Sequence, residues 1–172
     1  TLRVLTTLLV ALSLTAGASA RAADLLLLDD FQDGVADGWG ATGEGSVSLS
    51  SYARNVSLRI ERSASALRIT PVAGSGGPAV SGPIAAAGLG RGDVCTIEAS
   101  GDGGKSWLTV LRIARGDDDG LTLHRGAATL SQSSATAQIL VRLRSASRGP
   151  DATCWFDDIS VRGQLLANSS GG

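Results

Sequence analysis

Short alternating runs, each cut off by glycine or another turn residue, limit what this chain can fold into more than any other feature. Runs at 47–49, 58–60, 66–69, 94–99, 107–113, 121–123, 139–143 and 155–161 have the period of two expected of strands. In 140–144, Val141 and Leu143 alternate with Arg142 and Arg144, as in a sheet with one face on a core and the other in water. The 23 glycines against 4 prolines supply the positive φ angles that many tight turns need. The stretch 84–89, an alanine-rich run between Pro83 and Gly90, reads as a loop or a single turn. At least eight short strands without βαβ alternation predict an all-β protein, an antiparallel two-sheet sandwich in a single domain.

The N-terminal segment reads as an export signal. One arginine precedes an apolar run too short to span a bilayer, and Ala18-Ser19-Ala20 and Ala20-Arg21-Ala22 are overlapping A-x-A cleavage sites. Residues 1–22 are expected to be removed after Ala22, leaving a domain over 23–163 and a flexible tail over 164–172. Loss of Arg3 and Arg21 leaves 13 basic against 16 acidic side chains, a charge of −3. That balance excludes a strongly basic nucleic-acid footprint. A secreted or periplasmic location follows, as does a disulfide between Cys95 and Cys154, the only two cysteines, with buried free thiols as the alternative.

Ser100-Gly101-Asp102-Gly103-Gly104-Lys105-Ser106-Trp107 fits the Asp-box pattern, with Ser100, Asp102, Gly104, Ser106 and Trp107 at its fixed positions. Its physical content is a tight hairpin: the carboxylate accepts N–H groups across the turn, glycine supplies a left-handed residue, and the tryptophan packs back. A single copy in a chain this short brings no sialidase propeller with it. The opening Leu28-Asp29-Asp30-Phe31-Gln32-Asp33-Gly34 with Gly38-Trp39 and the closing Cys154-Trp155-Phe156-Asp157-Asp158-Ile159-Ser160-Val161 flank it. Together these motifs resemble jelly-roll modules of bacterial extracellular proteins, similar to carbohydrate-binding modules, MAM-like domains and reelin-type subrepeats. The resemblance implies a structural Ca²⁺ where the first and last strands meet, with Asp30 and Asp158 as ligands, although Gln32 stands where those families carry a glutamate.

The supply of catalytic groups is poor. His124 is the single imidazole, no serine sits in a nucleophile elbow, and nothing selects a carboxylate pair from Glu44, Glu61 and Glu98. The Asp117-Asp118-Asp119 cluster lacks calcium-loop spacing and reads as a solvated hairpin tip. The chain therefore reads as a non-enzymatic binding module with a polysaccharide or an envelope protein as partner. Sugars stack on exposed rings. Among six aromatic residues, Tyr52 and Trp39 are the ones left for that work, and their scarcity keeps a structural or adhesion-type module beside the carbohydrate reading.

Overall fold

The computed structural model of the chain describes residues 24–72, 75–131 and 137–165. The expected export segment, 1–22, lies outside the described residues, as does the expected tail beyond Leu165. Strands run in the order β1 (Asp24–Asp29), β2 (Gly40–Gly43), β3 (Ser46–Tyr52), β4 (Asn55–Glu61), β5 (Ala64–Pro71), β6 (Ser75–Ala87), β7 (Val94–Ser100), β8 (Leu108–Ala114), β9 (His124–Thr129), β10 (Gln138–Ala146), β11 (Thr153–Phe156) and β12 (Ile159–Leu165). The described residues contain no helix.

The strands form two antiparallel sheets, as expected. The five-stranded sheet has the order β2-β5-β10-β7-β8. In the seven-stranded sheet β11 and β12 follow one another along the same edge of β6, β9 takes the other edge, and β4 and β1 pair with the far sides of β11 and β12. First and last strands thus lie side by side, with Leu28 opposite Ser160. Leu58, Ile60, Ile84, Phe156 and Ile159 from one sheet and Ile97, Ile139, Val141 and Leu143 from the other are fully buried in the core.

Three sequence expectations need correction. The stretch 84–89 is no loop: Ile84 to Ala87 end β6, the longest strand, with 13 residues. Its glycine, alanine and proline content hid it because such residues carry little strand propensity. They are required because β6 is enclosed on both faces. A Cβ on Gly82 would come within 2.6 Å of Ile159 Cδ1 and 3.2 Å of Ile97 Cδ1. The run 121–123 is not a strand either, and β9 begins at His124. The Asp119 carboxylate accepts the Leu121 and Thr122 N–H groups and the Thr122 hydroxyl. These bonds, the Thr122 hydroxyl foremost, hold Asp119 down to about 2 and turn the chain so that Leu121 projects into water. Finally, 155–161 is two strands, broken where Asp158 takes φ 45°.

Cys95 of β7 and Cys154 of β11 form the disulfide, with 5.9 Å between their Cα atoms, and so join the two sheets through the core. The bond closes a loop with a sequence separation of 59, for which chain entropy gives a stabilisation of about 4 kcal/mol. Replacing both cysteines by alanine is expected to lower the unfolding free energy by about that amount, measured by denaturant titration against the oxidised parent.

Candidate functional site

The outer face of the seven-stranded sheet is built by alternation. Val47 and Leu49 of β3 pack against the core, so Ser46, Ser48, Ser50 and Tyr52 face outward. Leu58 and Ile60 of β4 and Cys154 and Phe156 of β11 point into the core, which turns Ser57, Arg59, Glu61 and Trp155 outward. Register then sets Ser48, Arg59, Trp155 and Ala85 in one row across four strands.

Tyr52 stacks on Trp155, with ring centroids 5.0 Å apart and planes at 27°. Its hydroxyl donates to the Gly120 carbonyl at 3.2 Å, and the Gly120 N–H in turn donates to the Ala86 carbonyl. The β3–β4 hairpin, turned by positive φ at Ala53 and Arg54, thus curls over β4 and β11 to meet the 115–123 loop beside β6. Beneath it Pro83 and Ala85 are buried although alternation points Ala85 outward. Burial and the nearby Asp119 charge push the Tyr52 hydroxyl up. Both rings remain partly exposed.

Beside the stack, Arg59 Nη2 is 2.5 Å from Glu61 Oε1, and the Ser46 hydroxyl donates to Glu61 Oε2. Two buried polar atoms here have no hydrogen-bond partner: Arg59 Nε and Ser50 Oγ. An orphaned buried polar atom is costly unless a ligand or water completes it. The sequence reading singled out Tyr52 for ligand contact and gave Trp155 and Arg59 no such role. The Ser-x-Ser-x-Ser-x-Tyr alternation at 46–52 was a visible signal, whereas the meeting of Tyr52 with Trp155 depends on register between distant strands.

Trp39 has other partners. Its Nε1–H donates to Asp29 Oδ2 at 2.6 Å, its ring tilts against buried Phe31, and Arg68, itself 2.6 Å from the same Asp29 oxygen, lies over it. These contacts tie the opening loop to β1 and β5.

Asp30 and Asp158 are turned to separate tasks. Asp30 Oδ1 accepts the Gln32 backbone N–H, and Asp158, exposed, lies 3.9 Å from Arg125. The Gln32 side chain spans the junction: Nε2 donates to the Asp30 and Val56 carbonyls at 2.8 and 2.9 Å, and Oε1 accepts the Val56 N–H. The amide thus bridges the opening loop to β4 through two carbonyl oxygens and one N–H. Asp30 and Asp158 both lie close enough to Asp157 for their charges to act on it, and a calcium held there is a proposal for experiment. Among the described residues no group of three or more His, Cys, Asp or Glu side chains is arranged to hold a metal. Thermal melts in millimolar calcium and in chelator test the proposal: a gap of several degrees that shrinks in Asp158→Asn is expected if the cation binds, and coincident melts would remove it.

The acid that the strand break buries is Asp157. Phe156 points inward, Asp157 outward beside Ser57, and the positive φ of Asp158 keeps that side chain outside as well. Burial raises the Asp157 pKa, helped by the Asp158 and Asp30 charges and opposed by hydrogen bonds from the Asp158 N–H and Asn55. An acid with a raised folded pKa favours the folded state less as pH climbs past its ordinary 3.8. Asp157→Asn, which keeps an acceptor for the Asp158 N–H, is therefore expected to raise the melting temperature at pH 7 by a few degrees, with the gain shrinking as the pH is lowered toward 3.8.

The Ser100–Trp107 segment closes on itself. Asp102 accepts the Ser106 hydroxyl and N–H and the Ser100 hydroxyl, bonds that hold its carboxyl well below the usual range, while Gly104 donates to Ser100 Oγ. Gly103 and Gly104 take φ 74° and 89°. Trp107 folds back over the five-stranded sheet, its ring 3.8 Å beneath the Arg142 guanidinium, which also meets Glu98 at 2.6 Å. Glu98 and Glu61 consequently sit on the outer faces of different sheets and cannot flank one glycosidic bond. The imidazole of His124 is engaged with the Asp117 carbonyl at 3.1 Å.

No protein-family model matches the sequence, and no curated protein matches it. Solved structures do. The CBM22-1 xylan-binding domain of Paenibacillus barcinonensis Xyn10C is similar with a TM-score of 0.57 at 18% identity, over 87% of this chain and 100% of that one. TmCBM61, solved with β-1,4-galactotriose, gives 0.61 at 12% identity over 79% and 95%. The K3 adhesin domain of Lys-gingipain from Porphyromonas gingivalis w83 gives 0.58 at 10% identity over 82% and 99%. At these identities the likeness is one of fold: the β-sandwich that carbohydrate-binding modules share.

Proposed function

We propose that this protein is an exported, non-catalytic carbohydrate-binding module that holds a polysaccharide on the outer face of its seven-stranded sheet. The observation that carries this reading is the Tyr52–Trp155 stack, partly exposed and next to the orphaned Arg59 Nε and Ser50 Oγ. A sugar ring offers C–H faces to an aromatic surface and hydroxyls to a guanidinium and a serine, so one ligand answers both features. The xylan-binding and galactotriose-bound neighbours support the ligand class, and the disulfide is consistent with an oxidising compartment.

One observation favours an adhesion-type module instead. Trp155 also lies opposite buried Ala85, a contact that packing alone would explain, and an adhesin domain shares the fold. Pull-down on insoluble xylan and galactan separates the readings. Trp155→Ala and Arg59→Ala are each expected to weaken capture roughly tenfold, while Tyr52→Phe, which keeps the ring, retains most of it. Parent protein that binds neither polysaccharide, or variants that bind as the parent does while remaining folded, would favour the adhesion-type reading.

A further inference from the structure

The rim of the five-stranded sheet carries a cluster of arginines. Two clefts of about 380 and 200 Å³ adjoin there, sharing Ser63 and Ala146 in their walls. Arg91 and Arg148 line the larger and Arg144 the smaller. All three are exposed, and among the described residues none of their guanidinium groups has a hydrogen-bond or ion-pair partner. The carboxylate in these walls, Asp93, is buried and already used. Burial pushes it up, yet the Ser147 hydroxyl and the Gly90, Arg148 and Gly149 N–H groups together hold it below its ordinary value. Glu44 is in the neighbouring β2–β3 loop but lines neither cleft.

Orphaned hydroxyls accompany the unpaired cations. Ser145, 1% exposed, reaches the wall of the smaller cleft from the core side of β10, beside Ala64 and Cys95, and its Oγ has no partner. Register places Thr42, Ser65, Arg144, Thr96 and Arg112 in a single row across all five strands. That row contains hydroxyls and guanidiniums and no carboxylate. Within it the Thr96 hydroxyl is buried and unpartnered between Arg144 and Arg112, and Arg112 is itself exposed without a partner.

We propose that this rim binds the carboxylates of an acidic polysaccharide. Guanidiniums pair with carboxylates in two-pronged fashion, and hydroxyls at the same surface complete the ring oxygens around them. Spread over two clefts and a strand row, the arginines suit single charges spaced along a chain better than one compact multivalent anion. A chain of net charge −1 is poorly suited to the dense phosphate charge of a nucleic acid. That the polyanion is a glycan rests on the function proposed above; the anion site rests on the arginines themselves.

Affinity electrophoresis of the whole chain in gels containing polygalacturonate, neutral galactan or double-stranded DNA tests this, at low and high salt. Parent protein is expected to be retarded by polygalacturonate, less so at high salt, and Arg91→Gln/Arg144→Gln/Arg148→Gln to lose at least tenfold in affinity with an unchanged melting temperature and unchanged retardation in galactan. No retardation by polygalacturonate at low salt, retention of full affinity by the triple variant, or equal retardation by DNA would each overturn the assignment. Trp155→Ala reports on the other face. Arginine-dependent binding of polygalacturonate without any binding of neutral glycan would leave this inference standing and remove the aromatic site.

Discussion

β6 is paired along both edges and buried on both faces over residues 82–86, and the rest of the architecture is arranged around that enclosure. One edge takes β11 and β12 and the other takes β9. On its inner face Gly82 lets Ile97 and Ile159 close together from opposite sheets. On its outer face Ala85 lies opposite Trp155, and Pro83, also buried, lies opposite Arg125 of β9. Only small or ring-closed side chains fit such a place, because close-packed interiors leave no room to absorb an added methyl group without displacement. The disulfide acts at the same point, since Cys154 pairs across from Ala86 while its sulfur reaches Cys95 of the other sheet.

The break at Asp157–Asp158 gives the seven-stranded sheet its two ends. Before it, the final strand pairs with β4 and presents Trp155; after it, the strand pairs with β1 and closes the domain. The Gln32 side chain fastens the chain at this fork, hydrogen bonding to Asp30 and Val56. The fork therefore positions the aromatic surface and is itself held by neutral hydrogen bonds, with Asp157 as a buried acid that stays at some cost in neutral solution. The outer faces of the two sheets then differ in chemistry: aromatic and hydroxyl-bearing around Tyr52, rich in unpaired arginine around Arg144.

Turn chemistry decided several local outcomes independently of the core. The Asp102 and Asp119 carboxylates each gather hydrogen bonds from residues two to four positions further on or behind. Such bonds are local and sequence-encoded, so the Ser100–Trp107 hairpin could be read in advance. At Asp119 the same chemistry overrode an alternating run, because Leu121 and Thr122 donate their N–H groups to a side chain rather than to a neighbouring strand.

The presence of two cysteines alone pointed to their pairing, and alternation by itself determined the sandwich, because a period of two commits every second side chain to one face. It could not reveal β6, whose residues are chosen by lack of space rather than by hydrophobicity or strand preference. Nor could it say that Tyr52 meets Trp155, that Trp39 is taken by Asp29 and Arg68, or that Arg91, Arg144 and Arg148 share a rim. Those groupings join residues tens of positions apart, and sequence spacing carries no record of which strands lie side by side. Only the register and curl of the folded sheets decide them.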